Sequence, residues 1–242
     1  MRKYIFYLLT VSFLINSCVP SSRSIVGEGK KINPFSYTSN KNGNYSKACV
    51  VSAHPLASAV GNAILENGGN AFDAMIATQL VLAVVYNNAG NIGGGGFLLA
   101  RKSDGSLISL DYREMAPAAA SRNMYLDKDG NAQNNLSESG HLSSGVPGTV
   151  AGLFATAKYA KLPFKDLIQP AIDLAEKGFT ITEREAEGLN SVHDDFVKYN
   201  TMPSALIKNN LWKAGDILKQ PELAETLKRI RDNGAADFGC VQ

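Results

Sequence analysis

The sequence predicts a mixed α/β fold: a sheet containing a β-hairpin, covered by helices, with helices dominating the C-terminal half. Three observations carry this. Two apolar runs, 97–102 and 106–112, are joined at Ser103-Asp104-Gly105, and Asp-Gly between apolar runs is a strong hairpin signal. Residues 71–85 are apolar almost all round, which suits a helix sandwiched inside a core. Beyond Val146, helix start and stop residues recur at helical spacing. At 242 residues and 45% apolar content, the chain can bury a sizeable core as one large domain or two small ones.

Taken in order, Arg2 and Lys3 precede an apolar run, 4–15, too short to span a bilayer comfortably. This is the shape of a secretory signal peptide. It ends in Leu14-Ile15-Asn16-Ser17-Cys18, which resembles a bacterial lipobox, where cleavage leaves a cysteine to be acylated. Residues 1–18 are therefore expected to be a signal peptide with Cys18 as the lipidation site, giving an exported, periplasmic or cell-envelope lipoprotein. An ordinary signal peptide cut elsewhere is the alternative. Residues 19–46, rich in Ser, Asn, Gly and Lys, read as a flexible tether, and residues 47–242 as the folded body.

The body should open on a short strand at 48–52 with Cys49 a buried small residue in it. Pro55 suits a first helical turn and Gly68-Gly69 its end. Asn70 is a natural cap for the 71–85 helix. Fifteen residues with Asp73 and Gln79 inside do not make a membrane span. After the hairpin, Val146-Pro147-Gly148 opens a helix to about residue 160. A further helix follows over 164–177, with Pro170 as a break or fresh start and Gly178 as its stop. Thr182-Glu183-Arg184-Glu185 fits a capping box for a helix to about Tyr199, and Pro221 begins one that ends at Asn233-Gly234.

The chemistry-bearing candidates are few. A net charge of +2 with scattered basic residues argues against nucleic acid as a partner. Three cysteines form no disulfide framework, and His54, His141 and His193 lack the spacing of a metal face. The glycine run of Ala-Gly-Asn-Ile-Gly-Gly-Gly-Gly, 89–96, is neither a P-loop nor a dinucleotide fingerprint. Gly96 leads into Phe-Leu-Leu-Ala, which reads as a core strand, and no Lys-Ser/Thr follows. What remains is a backbone that turns tightly or passes close to something. Arg113, at the far end of the hairpin, reads either as an ordinary surface arginine or as a bidentate clamp for a carboxylate.

Several blocks together resemble one family. Asn67-Gly68-Gly69-Asn70-Ala71-Phe72-Asp73-Ala74, the 89–97 glycine block, Asp111-Tyr112-Arg113-Glu114-Met115-Ala116-Pro117, the 144–152 block and Gln169-Pro170-Ala171 fall in order. They look like the heavy subunit of gamma-glutamyltranspeptidases, over roughly residues 48 to 238. The resemblance implies an N-terminal-nucleophile hydrolase with an αββα sandwich, of which this chain is the heavy-subunit part. It implies self-cleavage before a threonine, whose free amine then serves as base for its own hydroxyl. The implied donor is glutathione or another gamma-glutamyl amide, and the acceptor is water, an amino acid or a peptide. No metal or organic cofactor is implied. By position Arg113 matches the arginine that holds the donor's alpha-carboxylate.

The chain also departs from the family pattern. No Thr-Thr-His segment of the light-subunit kind is present, and Asp237-Phe238-Gly239-Cys240-Val241-Gln242 leaves the pattern. The nucleophilic threonine is thus expected beyond the chain end, the chain to be a truncated form inactive alone, and a light subunit, if encoded, to be its partner. Two rival readings stand beside this one: a related amide acylase, such as a cephalosporin acylase, and a non-catalytic lipoprotein scaffold.

Overall fold

The computed structural model describes residues 24–238. The expected signal peptide, 1–18, with Cys18 as its expected lipidation site, lies outside the described residues, as does Cys240. The body begins with α1 (Pro55–Glu66) and α2 (Ala71–Val85), an antiparallel pair. A hairpin of β1 (Phe97–Arg101) and β2 (Leu107–Asp111) follows, then the short α3 (Asn134–Glu138), α4 (Thr149–Ala157) and α5 (Phe164–Lys177). The remainder comprises β3 (Phe179–Thr180), α6 (Glu183–Ser191), α7 (His193–Tyr199), β4 (Ile217–Leu218) and α8 (Pro221–Asn233).

Helix α2 is the axle. Ile76, Leu80, Val81, Val84 and Val85 on it are all buried, so its all-round apolar sequence is matched by neighbours on several sides, namely α1, α4 and α5. It meets α1 closely because Gly61 has no side chain: a Cβ there would lie 2.3 Å from Thr78 Oγ1. Its first turn carries the expected cap, with Asn70 Oδ1 accepting from the Phe72 and Asp73 N–H groups at 2.8 and 3.1 Å. Asp73 completes the box by accepting from Asn70 N–H at 2.7 Å. Though wholly buried, the same carboxylate also accepts the N–H groups of Lys161 and Leu162, at 3.0 and 2.9 Å. It ties the start of α2 to the link between α4 and α5.

Helix α5 runs unbroken through Pro170, which corrects the expected break. The proline removes one hydrogen bond, at a cost of about 3 kcal/mol. Leu167, Ile168, Ile172 and Leu174 are fully buried around it, and each such burial is worth about 1.5–3 kcal/mol. Packing wins. The helix expected to reach Tyr199 is instead two, because Val192 adopts φ −108°, ψ 5° between α6 and α7. Asn190, just before that break, is held across a gap in sequence by Trp212, whose N–H it accepts at 2.8 Å.

Three further expectations are corrected. Residues 48–52 form no strand and Cys49 is exposed, because no strand among the described residues lies beside them. Their backbone is met by side chains instead: Asn62 accepts from Val50 N–H and Ser58 from Ser52 N–H. The expected core strand at 97–102 is not buried: in the β1–β2 ribbon residues alternate between exposed and half-buried, and Leu99 is 82% exposed. The tether is shorter than read, since residues 24–37 are docked. Val26 and Ile32 are buried, Ser24 bonds Asp173, and Tyr37 donates its hydroxyl to the Thr180 carbonyl at 2.7 Å. Too few apolar residues recur there to give a periodic signal.

Replacing the buried Asp73 by Ala removes the acceptor of three backbone N–H groups and should lower stability by about 3 kcal/mol, read from urea unfolding at neutral pH. A loss under about 1 kcal/mol would show that water takes over its role.

Candidate functional site

The glycine run begins where α2 ends. Gly90 N–H donates to the Tyr86 carbonyl at 2.7 Å, and a Cβ at Gly90 would sit 2.0 Å from the Leu82 carbonyl oxygen. The chain then passes under the start of α4. The Gly94 carbonyl accepts the N–H groups of both Gly148 and Thr149, at 2.8 and 2.9 Å. Gly96 exchanges hydrogen bonds with Tyr112 at 3.3 and 3.0 Å, extending the ladder that registers Phe97 opposite Asp111. The close passage expected of these glycines is therefore a contact with the backbone of residues 112 and 113. A Cβ at Gly95 would lie 2.6 Å from the Arg113 Cα.

Arg113 emerges just past β2. Its N–H donates to Asp111 Oδ1 at 3.0 Å, an Asx-type turn that ends the strand. The side chain is 65% exposed, its Nε 3.7 Å from Glu114 Oε2 and its guanidinium carbon 5.9 Å from the centre of the Phe97 ring. So open an ion pair holds little energy. The guanidinium is tethered along one edge and backed by a ring, with the remaining donors open to a planar anion.

A second polar cluster lies elsewhere. A cleft of about 350 Å³ is lined by Tyr37, His54, Tyr86, Asn88, Arg184 and Glu185, among others; Arg113 is not in its wall. His54 caps α1: its Nδ1 accepts from Leu56 N–H at 3.2 Å, which places the ring proton on Nε2, 3.0 Å from Glu185 Oε1. The buried imidazole also meets the Tyr37 and Phe179 rings, at 5.3 and 5.9 Å between centroids. Burial would raise the Glu185 carboxyl, but His54 and the Thr182 N–H and hydroxyl hold it below its ordinary value of 4.5. Burial pushes the Tyr37 hydroxyl well above its usual range, with Glu185 adding to the effect. The capping box around Glu185 was readable in the sequence; its His54 partner, 131 residues away, was not. His193, partly exposed, sits beside Asp194, its Nδ1 2.9 Å from Asp194 Oδ1. Among the described residues no three His, Cys, Asp or Glu side chains gather as a metal site.

The family model for gamma-glutamyltranspeptidase matches residues 57–238. The chain belongs to the gamma-glutamyltranspeptidase family. Glutathione hydrolase proenzymes from Pseudomonas sp. (strain A14) and Escherichia coli (strain K12) are 45% and 41% identical to it over 192 residues, 78% of this chain. The chain spans 33% of the length of each of these relatives. Its fold resembles the gamma-glutamyltranspeptidase of Helicobacter pylori, with a TM-score of 0.77 and 43% identity across 83% of this chain and 58% of that one. It also resembles a cephalosporin acylase from Bacillus halodurans, at 0.68 and 26% across 85% and 40%. The helices and strands of the described residues agree with that membership in being α/β.

The lowered Glu185 carboxyl gives a pH signature. A folded value below the unfolded one contributes stability that is present above about pH 4.5 and lost as pH falls through the folded value. Glu185→Gln should therefore unfold more easily than the wild type at pH 7, with the gap narrowing below pH 4.5. Thermal melts from pH 3 to 7 read this out, and a gap that is constant with pH would remove Glu185 from the acid response.

Proposed function

We propose that this chain is the heavy-subunit part of an N-terminal-nucleophile hydrolase, an αββα sandwich when complete. It binds the gamma-glutamyl donor, glutathione or a related amide, for transfer to water or to an amino acid or peptide. The observation that carries the reading is Arg113, exposed at the end of a hairpin whose backbone is held fast while its guanidinium is open. Its planar fork suits the donor's alpha-carboxylate better than lysine would.

In this reading the nucleophilic threonine belongs to the light subunit. Its oxygen adds to the donor's gamma-carbonyl carbon, the amine of the donor leaves with a proton, and water or a new amine opens the resulting ester. Arg113 contributes by fixing the other end of the glutamyl group, so that the gamma-carbonyl meets the nucleophile in one orientation. The β1–β2 ribbon supports a partner of this kind. Phe97, Leu99 and Leu107 point apolar surface outward, and a two-stranded ribbon is at best marginal alone. Cys18, acylated, would tether the assembly to the cell envelope.

The likeness to a cephalosporin acylase favours one other reading, an amide acylase without an amino-acid donor. Arg113 favours a donor with an alpha-carboxylate, and its removal tests which donor it serves. With a light subunit supplied, Arg113→Ala should lower kcat/KM for a gamma-glutamyl anilide by about tenfold to a hundredfold. A donor lacking the alpha-carboxylate should be unaffected. Equal kinetics for wild type and variant would favour the acylase. The purified chain 1–242 alone should release no anilide, and measurable turnover would mean that a nucleophile lies within it.

Labelled palmitate should be incorporated into the expressed chain and lost on Cys18→Ser. An unlabelled wild type would leave an ordinary signal peptide as the reading of residues 1–18.

A further inference from the structure

Tyr112 precedes the candidate clamp and is gripped on several sides. A Cβ at Gly152 would fall 2.3 Å from the Tyr112 ring Cγ, and one at Gly148 would fall 2.0 Å from the Tyr112 carbonyl oxygen. At Gly95 it would meet that same oxygen at 2.6 Å, and at Gly96 the ring at 3.0 Å. Gly148 and Gly152 are four residues apart, so they share one face at the start of α4. The N–H groups of Gly148 and Thr149 fasten that start to Gly94, on the strand-side segment that pairs with Tyr112. Tyr112 thus turns its ring onto α4 while Arg113 next to it stands in the open.

We propose that Gly95, Gly148 and Gly152 form a clasp on Tyr112 whose role is to aim Arg113, making the first turn of α4 the positioning element for donor capture. This rests on the reading of Arg113 as the carboxylate clamp. A fork that binds two carboxylate oxygens tolerates displacement of only about 0.5 Å or 10–20°. The arginine's own contacts do not supply such precision: Glu114 is 3.7 Å away and the side chain is 65% exposed. The backbone at residues 112 and 113 supplies it instead, because close-packed groups without spare volume have no alternative arrangement nearby. At each of these glycines a methyl group would displace Tyr112 or Arg113 itself. At Gly95 and Gly148 the atom met is backbone, which cannot swing aside.

The test uses the full chain and needs no turnover. Phenylglyoxal modifies exposed arginines, and peptide mass spectrometry reads its extent at Arg113, with exposed Arg122 as internal control. In the wild type, L-glutamate should protect Arg113 and leave Arg122 reactive. Gly152→Ala should raise the concentration needed for half-protection on the order of tenfold, as expected when a charge-assisted pair loses its alignment. Tyr112→Leu should do the same, and Gly152→Ala should add nothing in that background, since no ring is left to displace. Tyr112→Leu adds no atoms to a packed place and carries the test should Gly152→Ala fail to fold. Protection that is normal in the wild type and unchanged in both variants would overturn the clasp while leaving the clamp standing. Absence of protection in the wild type would remove the clamp, and the clasp with it.

Discussion

The helical body depends on one carboxylate. Asp73 has no exposed surface and its charge is met entirely by backbone N–H groups: one in its own cap and two from the link between α4 and α5. A buried carboxylate short of partners would cost several kcal/mol, so the link must lie where it does for α2 to be buried at all. That holds the start of α5 beside the start of α2. Helix α8 then packs on α5, and the docked arm is fastened to α5 through Ser24, Asp173 and Lys177.

From the other end of α2 the same fixed body leads into the glycine passage. Here the constraint is volume rather than charge. Two chain segments, 95–96 and 148–152, close on Tyr112 at distances that leave little or no room for a Cβ, and each contributes glycine where it touches. Rigidity is thereby placed in the backbone, and openness in the guanidinium one residue on. A binding group can stand exposed to its ligand and still be aimed, provided that the main chain beneath it cannot shift.

The two polar clusters divide the labour. His54 and Glu185 join the starts of α1 and α6, beside the docked Tyr37, and most of what they bond is protein. Their geometry is that of a structural tie. Among the described residues the Arg113 side chain has a long contact to Glu114 and a ring behind it, the open geometry on which the proposed clamp rests.

The sequence by itself determined what is local. Pro55, Asn70, the Thr182–Glu185 box, Asp-Gly in the hairpin and Gly178 and Gly234 as stops were all legible, because caps and turns are made by neighbours within a few residues. Family membership and the position of Arg113 were legible as well, since motif order is a property of the chain. Tertiary structure alone decided the rest. Whether Pro170 breaks α5 depends on how much apolar surface is buried around it. Whether residues 48–52 form a strand depends on a neighbour to pair with, and whether the arm is free depends on grooves built by α5 and β3. The glycines announced a close approach but not what they approach, because a missing Cβ is written in the sequence and the atom that fills its place is written only in space.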